Sequence, residues 1–133
     1  MIIMICGSVG STGASKILKM TKFLERNGYQ IIKQFDNGSR NYYHIHDFRS
    51  RKELSKKIVK HDIALIKKSD VVIILPEPSF GASIEMFLAK IEKKRIILYS
   101  DRPMPSPWPI AFSDRVVKSR RALLELLQQI SQS

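Results

Sequence analysis

The stretch Asp70 to Ala89, DVVIILPEPSFGASIEMFLA, constrains the fold more than any other part of the chain. It passes from a wholly apolar segment, through a Pro/Ser/Gly turn, into an amphipathic segment with a carboxylate, Glu85, in its first turn or so. A short apolar run bounded by turn residues fits a strand buried on both faces, and the change to helical spacing fits a helix start. In open α/β sheets ligands collect at the carboxyl ends of the strands. A carboxylate delivered there near a helix N-terminus is well placed for chemistry, and the helix dipole is expected to keep it ionised. Glu85 is therefore the first candidate for a catalytic nucleophile.

The flanking sequence repeats the same alternation. Met1 to Cys6 is a continuous apolar run that stops at Gly7-Ser8-Val9-Gly10-Ser11-Thr12-Gly13. From Ala14 to Asn27 the residues Ile17, Leu18, Met20, Phe23 and Leu24 recur at helical spacing, and Asn27-Gly28 gives a C-cap signal. A short strand near Tyr29 to Ile32 follows, then a polar, aromatic-rich stretch from Gln34 to His46 that reads as a loop over a site. A long amphipathic helix is expected over Ser50 to Ser69. Arg95 to Tyr99 is another buried strand, Met104 to Asp114 an irregular loop or short helix, and Arg115 to Gln129 a closing helix. The pattern predicts a single α/β domain spanning residues 1–133, a Rossmann-like parallel sheet of about four to five strands with helices on both faces.

Asp62 breaks the pattern of its helix. It lies four residues after Ile58 and three before Leu65, on the stripe that should be apolar. A buried carboxylate is costly without partners, so it marks either a hydrogen-bond anchor for a neighbouring loop or a functional group.

Composition narrows the classes. The 133 residues and 44% hydrophobic content suit one core with no disordered tract. The lone cysteine, Cys6, cannot form an internal disulfide, and MIIMICGSVG lacks a signal-peptide n-region, so a cytoplasmic protein is expected. No apolar run approaches the roughly 18 residues of a membrane span. Lys and Arg number 23 against 12 Asp and Glu, a net charge of +11. Such a surface concentrates anions, whether nucleic acid, acidic lipid or phosphorylated small molecules, although lysines on helix faces are commonly just solvated.

Other chemistries find less support. The Gly7 to Gly13 loop leads into a helix and could cradle a phosphate through its backbone N–H groups, but it has neither the Gly-Lys-Ser/Thr of a P-loop nor dinucleotide-fold spacing. His44, His46 and Asp47 cluster without a second ligand group, so no metal or other cofactor is expected. Cys6 reads as a small core residue, and Ser79 lacks a nucleophile-elbow setting. Carboxylates remain the best candidates.

The combination of Cys6-Gly7-Ser8-Val9 after the first strand, Asp62 in HDIALIKKSD, and Pro78-Ser79-Phe80-Gly81-Ala82-Ser83-Ile84-Glu85 resembles the nucleoside 2-deoxyribosyltransferase superfamily. Within it the likeness is closest to the 2′-deoxynucleoside 5′-monophosphate N-hydrolases, and it extends from Met1 to about Pro103. The resemblance implies that Glu85 attacks the anomeric carbon and that Asp62 acts beside the sugar and base. It further implies that Ser79 and Gly81, with Cys6, Gly7, Ser8, Val9 and Gly10, bind the substrate, Ser79 favouring a 5′-monophosphate. A homodimer is implied as well, in which a serine of the neighbouring subunit contacts the phosphate; Ser106 or Ser113 would fill that role. The family's hydrolases carry an aromatic residue at the position of Met4, an arginine at that of Gly10, and a base-contacting histidine near that of Phe35.

Three functions from different classes follow: an N-glycosidase acting on a (deoxy)nucleoside 5′-monophosphate, a deoxyribosyltransferase passing the sugar to a second base, and a non-catalytic nucleotide or nucleic-acid binder that uses the positive charge.

Overall fold

The computed structural model describes residues 1–9, 11–34 and 45–133, the side chains at positions 11 and 12 excepted. Strand β1 (Ile2–Cys6) is followed by α1 (Ser11–Arg26), β2 (Gln30–Ile31), α2 (Lys52–Lys68), β3 (Val71–Ile74) and α3 (Phe80–Ile91). Then come β4 (Arg95–Tyr99), α4 (Pro107–Phe112), β5 (Arg115–Val117) and α5 (Arg120–Gln132). The strands form one parallel sheet in the order β2-β1-β3-β4-β5. The chain leaves β1 toward one edge and returns to β3 on its other side. The crevice between the loops that follow β1 and β3 is thus the topological switch point, where open α/β sheets bind ligands.

Strand alternation sorts the apolar residues into two cores. Ile3, Ile5, Val71, Ile73 and Ile97 face α1 and α5, packing with Ile17, Leu24, Leu123 and Leu127. Met4, Cys6, Val72, Ile74, Ile96 and Leu98 face the other way, against Ile66 of α2 and Ala82, Met86 and Ala89 of α3. The register places Cys6 opposite Ile74, so the last residues of β1 and β3 lie side by side under α2 and α3. At the opposite edge two carboxylates hold strand starts: Asp70 Oδ2 accepts from the Ile2 N–H at 2.7 Å and Asp114 Oδ2 from that of Ile96 at 2.8 Å.

Two boundaries differ from the sequence expectation. Arg115–Val117 is not the start of the closing helix but a fifth strand, with Ile97 opposite Arg115 and Tyr99 opposite Val117. The helix begins only after Ser119, whose hydroxyl accepts from the Ala122 N–H at 3.0 Å. At the other end of the chain, α1 already starts at Ser11, which takes Gly13 out of the expected loop and into the first helical turn. The expected loop over Gln34 to His46 falls for the most part, Phe35 and His44 included, outside the described residues. Gln34 itself is buried, its amide donating to the Ile5 carbonyl at 2.6 Å. No described helix is long and apolar enough to cross a membrane.

Candidate active site

Three side chains from three elements converge under the switch point. Cys6 ends β1 on the face covered by α2 and α3, Asp62 lies one turn before Ile66 on α2, and Glu85 lies between Ala82 and Met86 on α3. The Cys6 thiol and the Asp62 charge both act on the Glu85 carboxyl, and Asp62 acts on Cys6 as well. Burial, and then Asp62, push the Glu85 carboxyl up to about 8 against a smaller opposing effect of the thiol. The expected helix-dipole protection is absent for a geometric reason. Glu85 is the sixth residue of α3, beyond the first turn in which the dipole acts, and α3 has no acidic residue in that turn. Burial and the two carboxylates likewise push the Cys6 thiol well above its ordinary value. On α2, His61 Nδ1 lies 3.3 Å from Asp62 Oδ1, with both side chains about one-sixth exposed at 16%.

The loop after β1 forms the floor of the crevice. A Cβ on Gly7 would meet Leu75 at 3.3 Å, and one on Gly13 would lie 2.0 Å from the Ser8 carbonyl oxygen, so α1 rests its first turn directly on the Ser8 backbone. Ser8 and Val9 are half-buried, and Gly10 lies outside the described residues. Ser79 caps α3, its hydroxyl accepting from the Ala82 N–H at 3.2 Å. A cap uses an acceptor lone pair, which leaves the hydroxyl's own hydrogen for a ligand. Gly81 is exposed, and a Cβ there would come no closer than 3.8 Å to the Ser79 hydroxyl. Glu77, two residues earlier, holds the Lys16 ammonium in an ion pair and has the Arg102 guanidinium at 3.5 Å, so one carboxylate joins α1 and the β4–α4 segment across the mouth of the crevice.

Ser106 and Ser113 bracket α4 as its N-cap and C-cap. Only Ser106 shares a cleft with Ser79, a groove of about 890 Å³ whose walls include Phe80, Ile84, Met104 and Trp108. Among the described residues no group of His, Cys, Asp and Glu could hold a metal ion.

The fold has counterparts among solved structures. A 2-deoxyribosyltransferase of Bacillus psychrosaccharolyticus superposes with a TM-score of 0.71 at 13% identity, over 92% of this chain and 90% of the other. The chain has the nucleoside 2-deoxyribosyltransferase fold. The CMP N-glycosidase BcmB of Clostridium botulinum is similar at a TM-score of 0.57 and 18% identity, over 96% of this chain and 99% of that one. No family model and no curated protein sequence matches the chain.

Within this fold the structure brings Glu85, Asp62, Cys6, Gly7 and Ser8 to one edge, with Ser79 and Gly81 at the adjoining helix start. Cys6 is 1% exposed, the small core residue that its place at the end of a buried strand suggests. Sequence reasoning missed the Lys16–Glu77–Arg102 bridge. Lys16 and Glu77 are 61 residues apart, and none of the three interrupts an apolar pattern.

Proposed function

We propose that the protein is an N-glycosidase that cleaves a (2′-deoxy)nucleoside 5′-monophosphate into free base and (deoxy)ribose 5-phosphate. The observation that carries this reading is the pairing of Asp62 and Glu85 at the switch point, where Asp62 and burial raise the affinity of Glu85 for a proton. Two carboxylates that repel each other in a desolvated site share one proton over a broad pH range, and retaining glycoside cleavage needs that composition: one carboxylate ionised, one protonated. A Glu85 oxygen attacks C1′ while the C1′–N bond breaks. Its electron pair leaves with the base, which takes the proton from Asp62. Asp62, now ionised, removes a proton from water, whose oxygen attacks C1′ and releases the sugar phosphate from Glu85.

The 5′-phosphate is assigned to the crevice between the Gly7–Val9 backbone and the α3 N-terminus, with the Ser79 hydroxyl as donor. Backbone N–H groups at a helix start suit an anion. The proposed active form is a homodimer in which Ser106, beside Ser79 in one groove, contributes to the phosphate site of a partner subunit; Ser113, at the far end of α4, is the less favourably placed of the two serines.

The likeness to a deoxyribosyltransferase supports a second reading, in which a free base and not water resolves the intermediate. Incubation with a panel of nucleosides and 5′-monophosphates, with and without an added free base, separates the two by chromatography. Base release from monophosphates alone is the expected result. A new nucleotide on addition of base would favour transfer, and full turnover by Glu85→Gln would overturn both.

A further inference from the structure

We propose that the amino edge of the sheet, opposite the crevice, binds the phosphodiester backbone of a nucleic-acid strand without regard to sequence. The inference goes beyond the N-glycosidase reading and stands on different residues.

Element ends of one sign meet at this edge. Lys90 lies in the last turn of α3, Lys93 and Lys94 follow it, and Arg95 and Arg115 open β4 and β5. The five line a cleft of about 690 Å³ whose walls include the buried Ile97 and Leu126. The Lys94 ammonium donates to the Lys67 carbonyl at 2.9 Å, which joins the exposed Lys67 and Lys68 at the end of α2 to the same surface. The carboxylates nearby are Asp70, Glu92 and Asp114, and two of them already serve the fold, Asp70 by accepting from the Ile2 N–H and Asp114 from the Ile96 N–H. Among the described residues the ion pair that these cations make is Lys90 with Asp114, at 3.9 Å. Like charges gathered in this way repel, and a bound polyanion relieves the repulsion.

Lys93 is independent evidence that a cation is needed here. Helices α1 and α3 end in the same closure. After α1 the Gly28 N–H bonds the Glu25 carbonyl at 3.0 Å and the Tyr29 N–H the Leu24 carbonyl at 3.1 Å. After α3 the Lys93 N–H bonds the Lys90 carbonyl at 3.1 Å and the Lys94 N–H the Ala89 carbonyl at 2.9 Å. The turning residue is left-handed in both, with φ 88° at Gly28 and 58° at Lys93. Glycine adopts that conformation without strain, and lysine does not. Among the described residues no other non-glycine residue has a positive φ. The helix dipole does not require Lys93, because Lys90 already occupies the last turn. A strained lysine at a basic cleft fits a contact made through its charge.

The chemistry of the cleft selects the partner. Its cations stand at the starts of three neighbouring strands, β3, β4 and β5. A strand spacing of about 4.8 Å spreads them over roughly 10 Å, the length of about three phosphates along one nucleic-acid strand. Among the described residues no aromatic ring lines the cleft, so bases have no stacking platform and the contacts fall on the backbone. Nor does the lining offer an exposed apolar side chain to insert into a membrane, since Ile97 and Leu126 are buried and Ile130 is half-buried.

A fluorescein-labelled polythymidine strand of about 20 nucleotides, titrated with the full-length protein across a salt series, tests this by anisotropy. Affinity should fall steeply with salt. Lys93→Gly should weaken binding by roughly three- to tenfold and lower the salt slope by roughly 0.7, the share of one single-strand phosphate. The same variant should melt roughly 3–5 °C higher as the strain is released. A more stable fold that binds less tightly is the expected signature, because a merely structural Lys93 would move stability alone. Arg115→Glu should weaken binding by roughly tenfold or more, and Lys56→Glu, an equal change of net charge near the start of α2 and away from the cleft, by less than about twofold. Unchanged affinity in Lys93→Gly overturns the proposal, as do equal losses in Arg115→Glu and Lys56→Glu. Displacement of the strand by inorganic triphosphate at equal phosphate concentration would assign the cleft to a small oligophosphate. Tighter binding to phosphatidylserine vesicles than to the strand would assign it to a membrane, and either result overturns the nucleic-acid assignment. None of these measurements uses base release, so a protein that cleaves no nucleotide would remove the N-glycosidase reading and leave this one to stand or fall on binding.

Discussion

Glu85 is held in a state that opposes folding at the pH where it would work. Its carboxyl titrates near 8 in the folded chain, above the ordinary glutamate value of 4.5. Between those values the unfolded chain has lost the proton and the folded chain retains it. The stabilising contribution of the protonated group is complete at acid pH, declines as pH rises through this window, and levels off above about 8. Glu85→Gln removes the titration, so the variant should match the wild type near pH 5 and exceed it by on the order of a few kcal/mol near pH 9. Urea denaturation at the two pH values checks this, and an equal gap at both would refute it. On the proposed mechanism the pair and not Glu85 alone would set the rate, since attack by Glu85 requires its proton to have passed to Asp62. In the one-proton pair, kcat/KM should fall on the alkaline side with an apparent pKa near 8. Asp62→Asn removes the charge that helps to raise Glu85, so that alkaline limb should disappear together with most of the activity. A variant that kept the wild-type profile would make Asp62 merely structural. Asp62 was legible in the sequence because a carboxylate interrupted an apolar stripe. The raised proton affinity of Glu85 was not, since it depends on its own burial and on a carboxylate from another helix.

The elements differ in how plainly they are written. Strands β1, β3 and β4 are covered on both faces and therefore read as unbroken apolar runs. Edge strand β5 has only three residues, of which Val117 is buried while Arg115 and Val116 are exposed, so no run marks it. What holds it is long-range: its pairing with β4, and the bond from the Ser100 N–H to the Val117 carbonyl at 2.9 Å. The capping serines were the better signal, since Ser79, Ser106 and Ser119 each accept from a backbone N–H two or three residues on. Ser79→Ala should cost about 1 kcal/mol as a lost cap. If the hydroxyl also donates to phosphate, KM should rise more for 5′-monophosphates than for nucleosides. Equal effects on both substrate classes would leave Ser79 a cap alone. Gly13 makes a sharper demand, because a methyl group there meets the Ser8 backbone and not a side chain that could swing away. Gly13→Ala should cost about 2–3 kcal/mol as overpacking. It should also weaken substrate binding more than an alanine at the open Gly81 position, which thermal melts and KM values compare directly.

At the scale of the whole molecule, charge and apolar surface occupy opposite places. Lys90, Lys93, Lys94, Arg95 and Arg115 line a cleft of about 690 Å³ at the amino ends of β4 and β5, away from the crevice. Near the crevice, Lys16 and Arg102 are already engaged by Glu77. Among the described residues the positive charge is therefore not focused on the proposed substrate site, and substrate affinity should depend only weakly on salt. The apolar surface lies beside the site instead. The inner face of α3 buries Ala82, Met86 and Ala89, yet its outer face carries Phe80, Ile84, Phe87 and Ile91 at helical spacing, with Phe80 94% exposed and Ile84 59%. Trp108 of α4 extends the patch, stacked on Phe112, whose ring meets Phe87 edge-on at 6.0 Å. A helix apolar on both faces belongs inside an assembly, and a stripe about 16 Å long can pack against its own copy about a two-fold axis. The groove between this stripe and Ser106 opens beside Ser79, so a partner seated there would close the phosphate side of the crevice. Sedimentation should find the wild type dimeric at micromolar concentration. Ile84→Lys, which adds a charge at the middle of the stripe and touches neither core, should be a folded monomer that cleaves monophosphates less efficiently. A monomeric wild type with full activity would show that the crevice is complete in one chain. A monomeric Ile84→Lys with undiminished monophosphate preference would show that the partner stabilises the fold without reaching the substrate.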